Sequence, residues 1–296
     1  MWFNCSSVEN SSEAALILFQ RVSYTLTFVV ALPLNISALW LFYRIQHWTD
    51  THIYMSNLML ADFLLIIFLP FHIFETFCPI KASELCTFLI CVHYSNMYVS
   101  IFTIMVISAH RFVAIKFPFL IKAVQARRKL IARIVCFLIW IIVMAICTYF
   151  QSNMHKDKLK KCYERKPELP LDLSFLLVLE IVGYLLPVAI ITTCSTQAIC
   201  TLVKSMESTL QHVEKKDVLE RKRVVAIITA NMSIFIICFS PIHLSYLLKY
   251  NFPGKSETLT FSHVFYEVSE WIATTNCCLD AVGYYLLLKK VFRDKT

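Results

Sequence analysis

Glycine is nearly missing from this chain. Only Gly183, Gly254 and Gly283 occur in 296 residues, so neither a Gly-rich phosphate cradle nor a dinucleotide fingerprint can be written anywhere in it. That excludes most nucleotide-dependent enzymes and pumps. Charge is the second shortage: Asp, Glu, Lys and Arg make up 16% of the residues against 58% hydrophobic, and the mean hydropathy of +0.63 is too high for a soluble domain of this length. No Pro- or Ser-rich linker divides the chain, and no internal repeat with interrupted spans of the transporter kind is visible. No metal-ligand spacing and no nucleophile with a plausible base suggests an enzyme. The net charge of +8 does not indicate a nucleic-acid partner, because the basic residues fall between apolar stretches and not on one face or tail.

What is present is a series of apolar runs. Residues 22–43, 53–74, 85–109, 134–154, 173–203, 224–248 and 258–288 are each long enough to cross a bilayer. The expected fold is therefore all-α, an integral membrane bundle of seven helices. Residues 1–20 form an extracellular tail, 21–288 the membrane domain, and 289–296 a short cytoplasmic segment that could lie as an interfacial helix with Phe292 toward lipid. With the N-terminus outside, 17 Lys and Arg fall on the inner side and ten on the outer, with Arg111 inside the third span. Positive charge collects inside, so this orientation is preferred, although the loop 155–172 adds six basic residues to the outer count. The sequons at Asn4 and Asn10 lie in the polar first 20 residues, where glycosylation requires an outside location; those at Asn35 and Asn231 fall within spans. Glu9 and Glu13 precede an apolar stretch longer than a signal-peptide core, so the first span reads as an uncleaved anchor in a multi-pass plasma-membrane protein.

The third span organises the rest. Cys86 and Arg111 are 25 positions apart, roughly 37 Å along a helix, which puts one at each membrane face. A cysteine at one end, His110-Arg111-Phe112 at the other and then A-I-x-x-P resembles the third helix of rhodopsin-like G-protein-coupled receptors. Other spans agree: Asn35 in LPLNISALW, Asn57, Ala61 and Asp62 in NLMLAD, Trp140, Pro187, then Phe235, Phe239 and Pro241 in FIICFSP, and NCCLDAVGYY from Asn276 to Tyr285. The segment QHWTDTHIYMSNLMLAD, the SPIHL run and the replacement of Asn-Pro-x-x-Tyr by Asp280-Ala281-x-x-Tyr284 resemble the branch that holds the kynurenic-acid and lysophosphatidylinositol receptors.

The resemblance implies a receptor for a small anionic metabolite or lysolipid, coupled to a heterotrimeric G protein of the Gi or G12/13 class. It implies a disulfide between Cys86 and Cys162, in keeping with an oxidising compartment. Cys5 and Cys78 are candidates for a second bridge, and the eight cysteines within spans read as small apolar thiols. Asp62, Asn96, Ser100, Asn276 and Asp280 match the positions at which the family gathers oxygens around a sodium ion. Two carboxylates that close must share a cation or a proton. No other cofactor is expected. The G-protein face would comprise His110, Arg111, Phe112, Pro118 and Phe119, the last two as a hydrophobic knob beside Lys122, Arg127, Arg128 and Lys129, which also suit the anionic inner leaflet. His110 stands where the family usually has an acid, so the partner that would restrain Arg111 is absent. Arg221 replaces the acid at the base of the sixth helix, with Glu220 beside it, and Ser195 stands where a tyrosine is frequent. Phe235, Phe239, Pro241 and Tyr284 fill the positions of the activation motifs.

Matching the outer halves of the helices points His72, His93, Tyr94, Met97, Tyr98, Glu180, His243, Tyr246, Glu267 and Glu270 inward, the polar groups among aromatics that a binding cavity needs. Three are acids, so a zwitterionic, amine-bearing or peptide ligand stands as the alternative to an anion, with Lys249 and the histidines as the cationic candidates. Two other functions fit the same residues: a receptor-shaped scavenger or heteromer partner that no longer signals, or an ion- or proton-translocating bundle that uses the intramembrane acids.

Overall fold

The computed structural model describes residues 11–81, 83–153, 162–163, 172–209, 215–251 and 256–293. Among the described residues the chain is helical in α1 (Ser11–Tyr43), α2 (Asp50–Glu75), α3 (Glu84–Lys116), α4 (Pro118–Ala123), α5 (Arg128–Asn153), α6 (Leu173–Leu177), α7 (Leu186–Thr209), α8 (Lys215–Asn251), α9 (Ser256–Thr274) and α10 (Asn276–Arg293). Asn4 and Asn10 lie outside the described residues. Helix α1 begins well before the apolar run at residue 22, and α4 falls in the connection after the third span.

Polarity is arranged for a lipid solvent. Val29, Phe137 and Ile237 are each 60% or more exposed, while Asn35, Asp62, Ser100, Ser245 and Ser269 are wholly buried. Helices satisfy their own backbone groups, so apolar side chains can cover them and the polar ones turn inward, where they pair across helices. Asn57 on α2 shows the pattern: its Nδ2 donates to Thr103 Oγ1 on α3 at 2.8 Å, and Trp140 Nε1 on α5 donates to its Oδ1 at 2.9 Å. Asn35 on α1 likewise donates to the Cys277 carbonyl on α10 at 3.1 Å. Among the described residues, six helical stretches are long and apolar enough to cross a membrane.

Two spans are irregular, each for a local reason. The fifth runs through α6 and α7 joined by a π-helical segment, Val178–Leu185. Pro187 follows it; proline has no N–H to give and its ring presses on the carbonyl four residues back, that of Gly183. Gly183 is also the point of closest approach to α3, where an added Cβ would sit 2.6 Å from Tyr98 Cε1. The seventh span breaks at Thr275 into α9 and α10. There the hydroxyls compete for backbone carbonyls, Thr274 Oγ1 donating to Glu270 O at 2.8 Å and Thr275 Oγ1 to Ile272 O at 2.6 Å. Residues 289–293, expected as a separate interfacial helix, continue α10 without a break.

Candidate functional site

The buried polar residues fall in three layers along the bundle. At the first end the side chain of Ser83 caps α3 by accepting from Cys86 N at 3.4 Å, and Cys86 is joined to Cys162 by a disulfide with Cα atoms 5.4 Å apart. Cys78 is also disulfide-bonded, while Cys5, its candidate partner, lies outside the described residues. The eight span cysteines are free thiols. The bridge delivers Tyr163 into the bundle: its backbone N–H donates to Glu75 Oε1 at 3.2 Å and its ring lies 4.2 Å from that of His72. Burial, with the Glu75 and Glu270 carboxylates, holds the Tyr163 phenol well above its ordinary pKa.

Nine of the ten expected ligand residues gather below this bridge. His72 on α2 stacks on His93 of α3 at 5.5 Å, and His93 Nε2 lies 3.3 Å from Glu270 Oε1 on α9, at ion-pair distance but not aligned as a hydrogen bond. Across the bundle His243 Nδ1 on α8 lies 3.3 Å from Glu180 Oε1 in the π-helical segment. The His243 ring stacks on Tyr184 at 4.6 Å and meets Tyr98 and Tyr246 edge-on. Tyr94 OH and Tyr266 OH are 2.6 Å apart, and Lys249 Nζ sits 3.2 Å over the Tyr266 ring. Met97 is buried in the same core cluster as Tyr246 and Tyr266. Glu267 turns elsewhere: its carboxylate accepts from Gln20 Nε2 on α1 at 2.6 Å and lies 3.7 Å from His263 on its own helix.

In the middle layer Asn96 Nδ2 and Tyr284 OH each lie 3.4 Å from an oxygen of Asp62, and Asn276 Nδ2 donates to Asp280 Oδ2 at 2.7 Å. Ser100 Oγ and Asn276 Oδ1 are buried with no hydrogen-bond partner. Phe235 and Phe239, fully buried with ring centroids 5.5 Å apart, stand on α8 ahead of Pro241.

At the far end Arg111 shares a cavity of about 30 Å³ with Asn231, Asp280 and Tyr284. The sequence places no acid beside Arg111 within α3, and the structure places one against His110 instead. His110 Nε2 lies 2.7 Å from Asp50 Oδ2 on α2, and Arg128 on α5 reaches the same carboxylate at 3.2 Å. Phe112 packs edge-on against Phe117. Pro118 opens α4, and Phe119 beside it is 82% exposed. Arg221 donates to Ser205 Oγ, Ser195 is buried, and the Glu220 side chain lies outside the described residues.

A sequence profile of the 7 transmembrane receptor (rhodopsin family) matches residues 34–284. The chain belongs to the rhodopsin family of seven-transmembrane receptors. It is a receptor of the multi-pass membrane class and not an enzyme. Similar proteins include G-protein coupled receptor 55 of Mus musculus, 30% identical over 89% of this chain and 84% of that one. Lysophosphatidic acid receptor 6 of Gallus gallus is 32% identical over 88% and 87%, and G-protein coupled receptor 35 of Mus musculus is 28% identical over 90% and 83%.

Several residues of the receptor's first layer escaped sequence reasoning. Tyr266 and Tyr184 stand four residues from Glu270 and Glu180 on the same helices, a spacing that shares a face in a regular helix, and Tyr163 adjoins Cys162. Those signals were available. Gln20 in this layer and Asp50 at the far end gave none, because each meets its partner only through tertiary packing.

Proposed function

We propose that this receptor takes a small amphiphile with an anionic head, of the lysophospholipid or organic-acid kind, in the layer under the Cys86–Cys162 bridge. That end faces the outside, with the N-terminus and its sequons, and the Arg111 end faces a heterotrimeric G protein of the Gi or G12/13 class. One observation carries the anionic reading. The four carboxylates buried at this end among the described residues each have a partner within the protein: Glu75 with the Tyr163 amide, Glu180 with His243, Glu270 with His93 and Glu267 with Gln20. They therefore make no demand for a cationic ligand, and Lys249, over the Tyr266 ring, supplies the positive side. Similarity to lysophosphatidic acid receptors supports the same ligand class.

Asp62, Asn96, Ser100, Asn276 and Asp280 would hold a sodium ion, which would offset the two carboxylates. The partnerless Ser100 and Asn276 oxygens fit such a guest. Arg111, with His110, Phe112, Pro118 and the exposed Phe119, would form the coupling face.

The test is nucleotide exchange on a panel of purified G proteins, with the receptor in lipid nanodiscs and lysophosphatidic acid, lysophosphatidylinositol and an aromatic organic acid as probes. At least one probe stimulates exchange, and Lys249→Ala raises its half-maximal concentration about tenfold, the scale of one lost charge-assisted contact. Glu180→Gln and Glu270→Gln shift it less. The opposite ranking, or stimulation by amines alone, overturns the anionic reading.

A further inference from the structure

Asp50 is an acid that a membrane protein has no need to bury. It stands in the first turn of α2, fixed there by the Thr49–His52 capping box and only 4% exposed, at a helix end that favours negative charge. Its carboxylate gathers groups from two other helices. His110 Nε2 lies 2.7 Å and Arg128 Nε 3.2 Å from Oδ2, and an Arg128 terminal nitrogen donates to Oδ1 at 3.4 Å. Tyr54, one turn along α2, packs its ring 5.9 Å from the imidazole. The arrangement ties α3 to α2 and α5 at one point, the residue before Arg111.

Neighbouring residues on a helix point about 100° apart, so fixing the heading of His110 fixes that of Arg111. Arg111 itself makes no ion pair among the described residues and is aimed into the cavity with Asp280 and Tyr284. Lys116 adds a second tether, donating to Gln197 Oε1 on α7 at 3.0 Å. We infer that Asp50 is the positioning residue that keeps Arg111 turned into the bundle, doing from α2, through His110, what an acid beside the arginine would do within α3. Releasing it lets α3 rotate and offers the guanidinium to the G protein. This rests on the coupling role proposed above for the Arg111 end.

The experiment measures ligand-free nucleotide exchange, per receptor at the surface, for wild type, Asp50→Asn, Asp50→Glu and His110→Gln. Asp50→Asn and His110→Gln raise basal exchange about fivefold or more, the lower range of coupling between two sites. Asp50→Glu, which keeps the carboxylate, stays near wild type, and adding Arg111→Ala abolishes the rise. A purely structural stitch would lower surface level and exchange together and would not be rescued in this pattern. Should Asp50→Asn fail to reach the surface, the milder His110→Gln decides alone. Basal exchange that is unchanged or reduced while a ligand still stimulates the wild type overturns the Asp50 assignment and leaves the receptor reading intact. No exchange on any G protein by any form overturns both.

Discussion

Gly183→Ala probes how tightly α3 and the fifth span are packed. A Cβ at this position would lie 2.6 Å from Tyr98 Cε1, and ordinary contact begins near 3.4 Å, so the ring must withdraw by about 0.8 Å. Overpacking of this kind costs about 1–3 kcal/mol. Replacing a glycine within a helix returns about 0.5–1 kcal/mol. The Tyr98 hydroxyl is buried without a hydrogen bond, so packing alone holds the ring, which places the packing cost toward its lower end. A net loss of about 0–0.5 kcal/mol remains, or at most about 2 °C in thermal stability for a chain of this size. The assay is thermal unfolding of the detergent-solubilised receptor, read by a thiol-reactive fluorophore as the buried Cys136, Cys238 and Cys277 become accessible. A second background makes the reasoning sharper. With Tyr98→Leu in place the clash is gone and only the helix term survives, so Gly183→Ala now stabilises. Residues in contact are expected to be non-additive by 0.5 kcal/mol or more. Equal shifts in both backgrounds would refute the close-approach account. Because the same ring lies edge-on against His243, 6.1 Å away, its displacement also weakens the response to ligand, measured in the same nucleotide-exchange assay.

Asn57→Ala removes the acceptor of the Trp140 N–H and the donor to Thr103 together. Interhelical hydrogen bonds in membranes average about 0.6 kcal/mol and reach about 1.7, so two of them lower the unfolding temperature by about 2–6 °C, checked by the same thiol readout; Asn57→Asp, which keeps the acceptor for Trp140, loses less. Replacing sodium by a large organic cation at constant ionic strength raises agonist affinity about fivefold if Asp62 and Asp280 share the ion. Asp280→Asn removes that dependence, and binding that ignores the cation in the wild type sinks the assignment.

The seven apolar runs were legible because lipid imposes one rule on every span: backbone bonds stay within the helix and apolar side chains face out. That rule fixes where α3 lies to within two turns, Glu84–Lys116 around residues 85–109, though α1 starts about three turns before its apolar run. Irregularities were less visible. Pro187 marked the fifth span as disturbed, but a proline does not say whether the chain will kink or widen into a π segment, since that depends on what α3 allows at Gly183. The break at Thr275 likewise depends on hydroxyls choosing carbonyls of their own helix. In the first layer, inward positions could be taken from the match of the helices to the family, as His93 and Tyr94 were. Which acid meets which histidine could not, because Glu180 and His243 are 63 positions apart and Glu267 finds Gln20 across 247.

The same distinction explains what the sequence leaves open at His110. A sequence shows an acid missing beside Arg111, but not whether packing against another helix makes up for it. A membrane bundle recovers a buried charge by any route that packing allows, since an unpaired imidazolium or guanidinium away from water is costly whichever helix its partner comes from. Asp50 sits 60 positions before His110, at the start of α2, where the Thr49–His52 box sets the helix phase and so the side on which the carboxylate emerges. Arg128 then completes the group from the first turn of α5. Three separate choices, a cap, a helix phase and a basic residue after a loop, have to agree for the contact to form. Substituting one position on α3 therefore relocates the restraint to an interface among three helices, where any motion of α3 against α2 or α5 must break it.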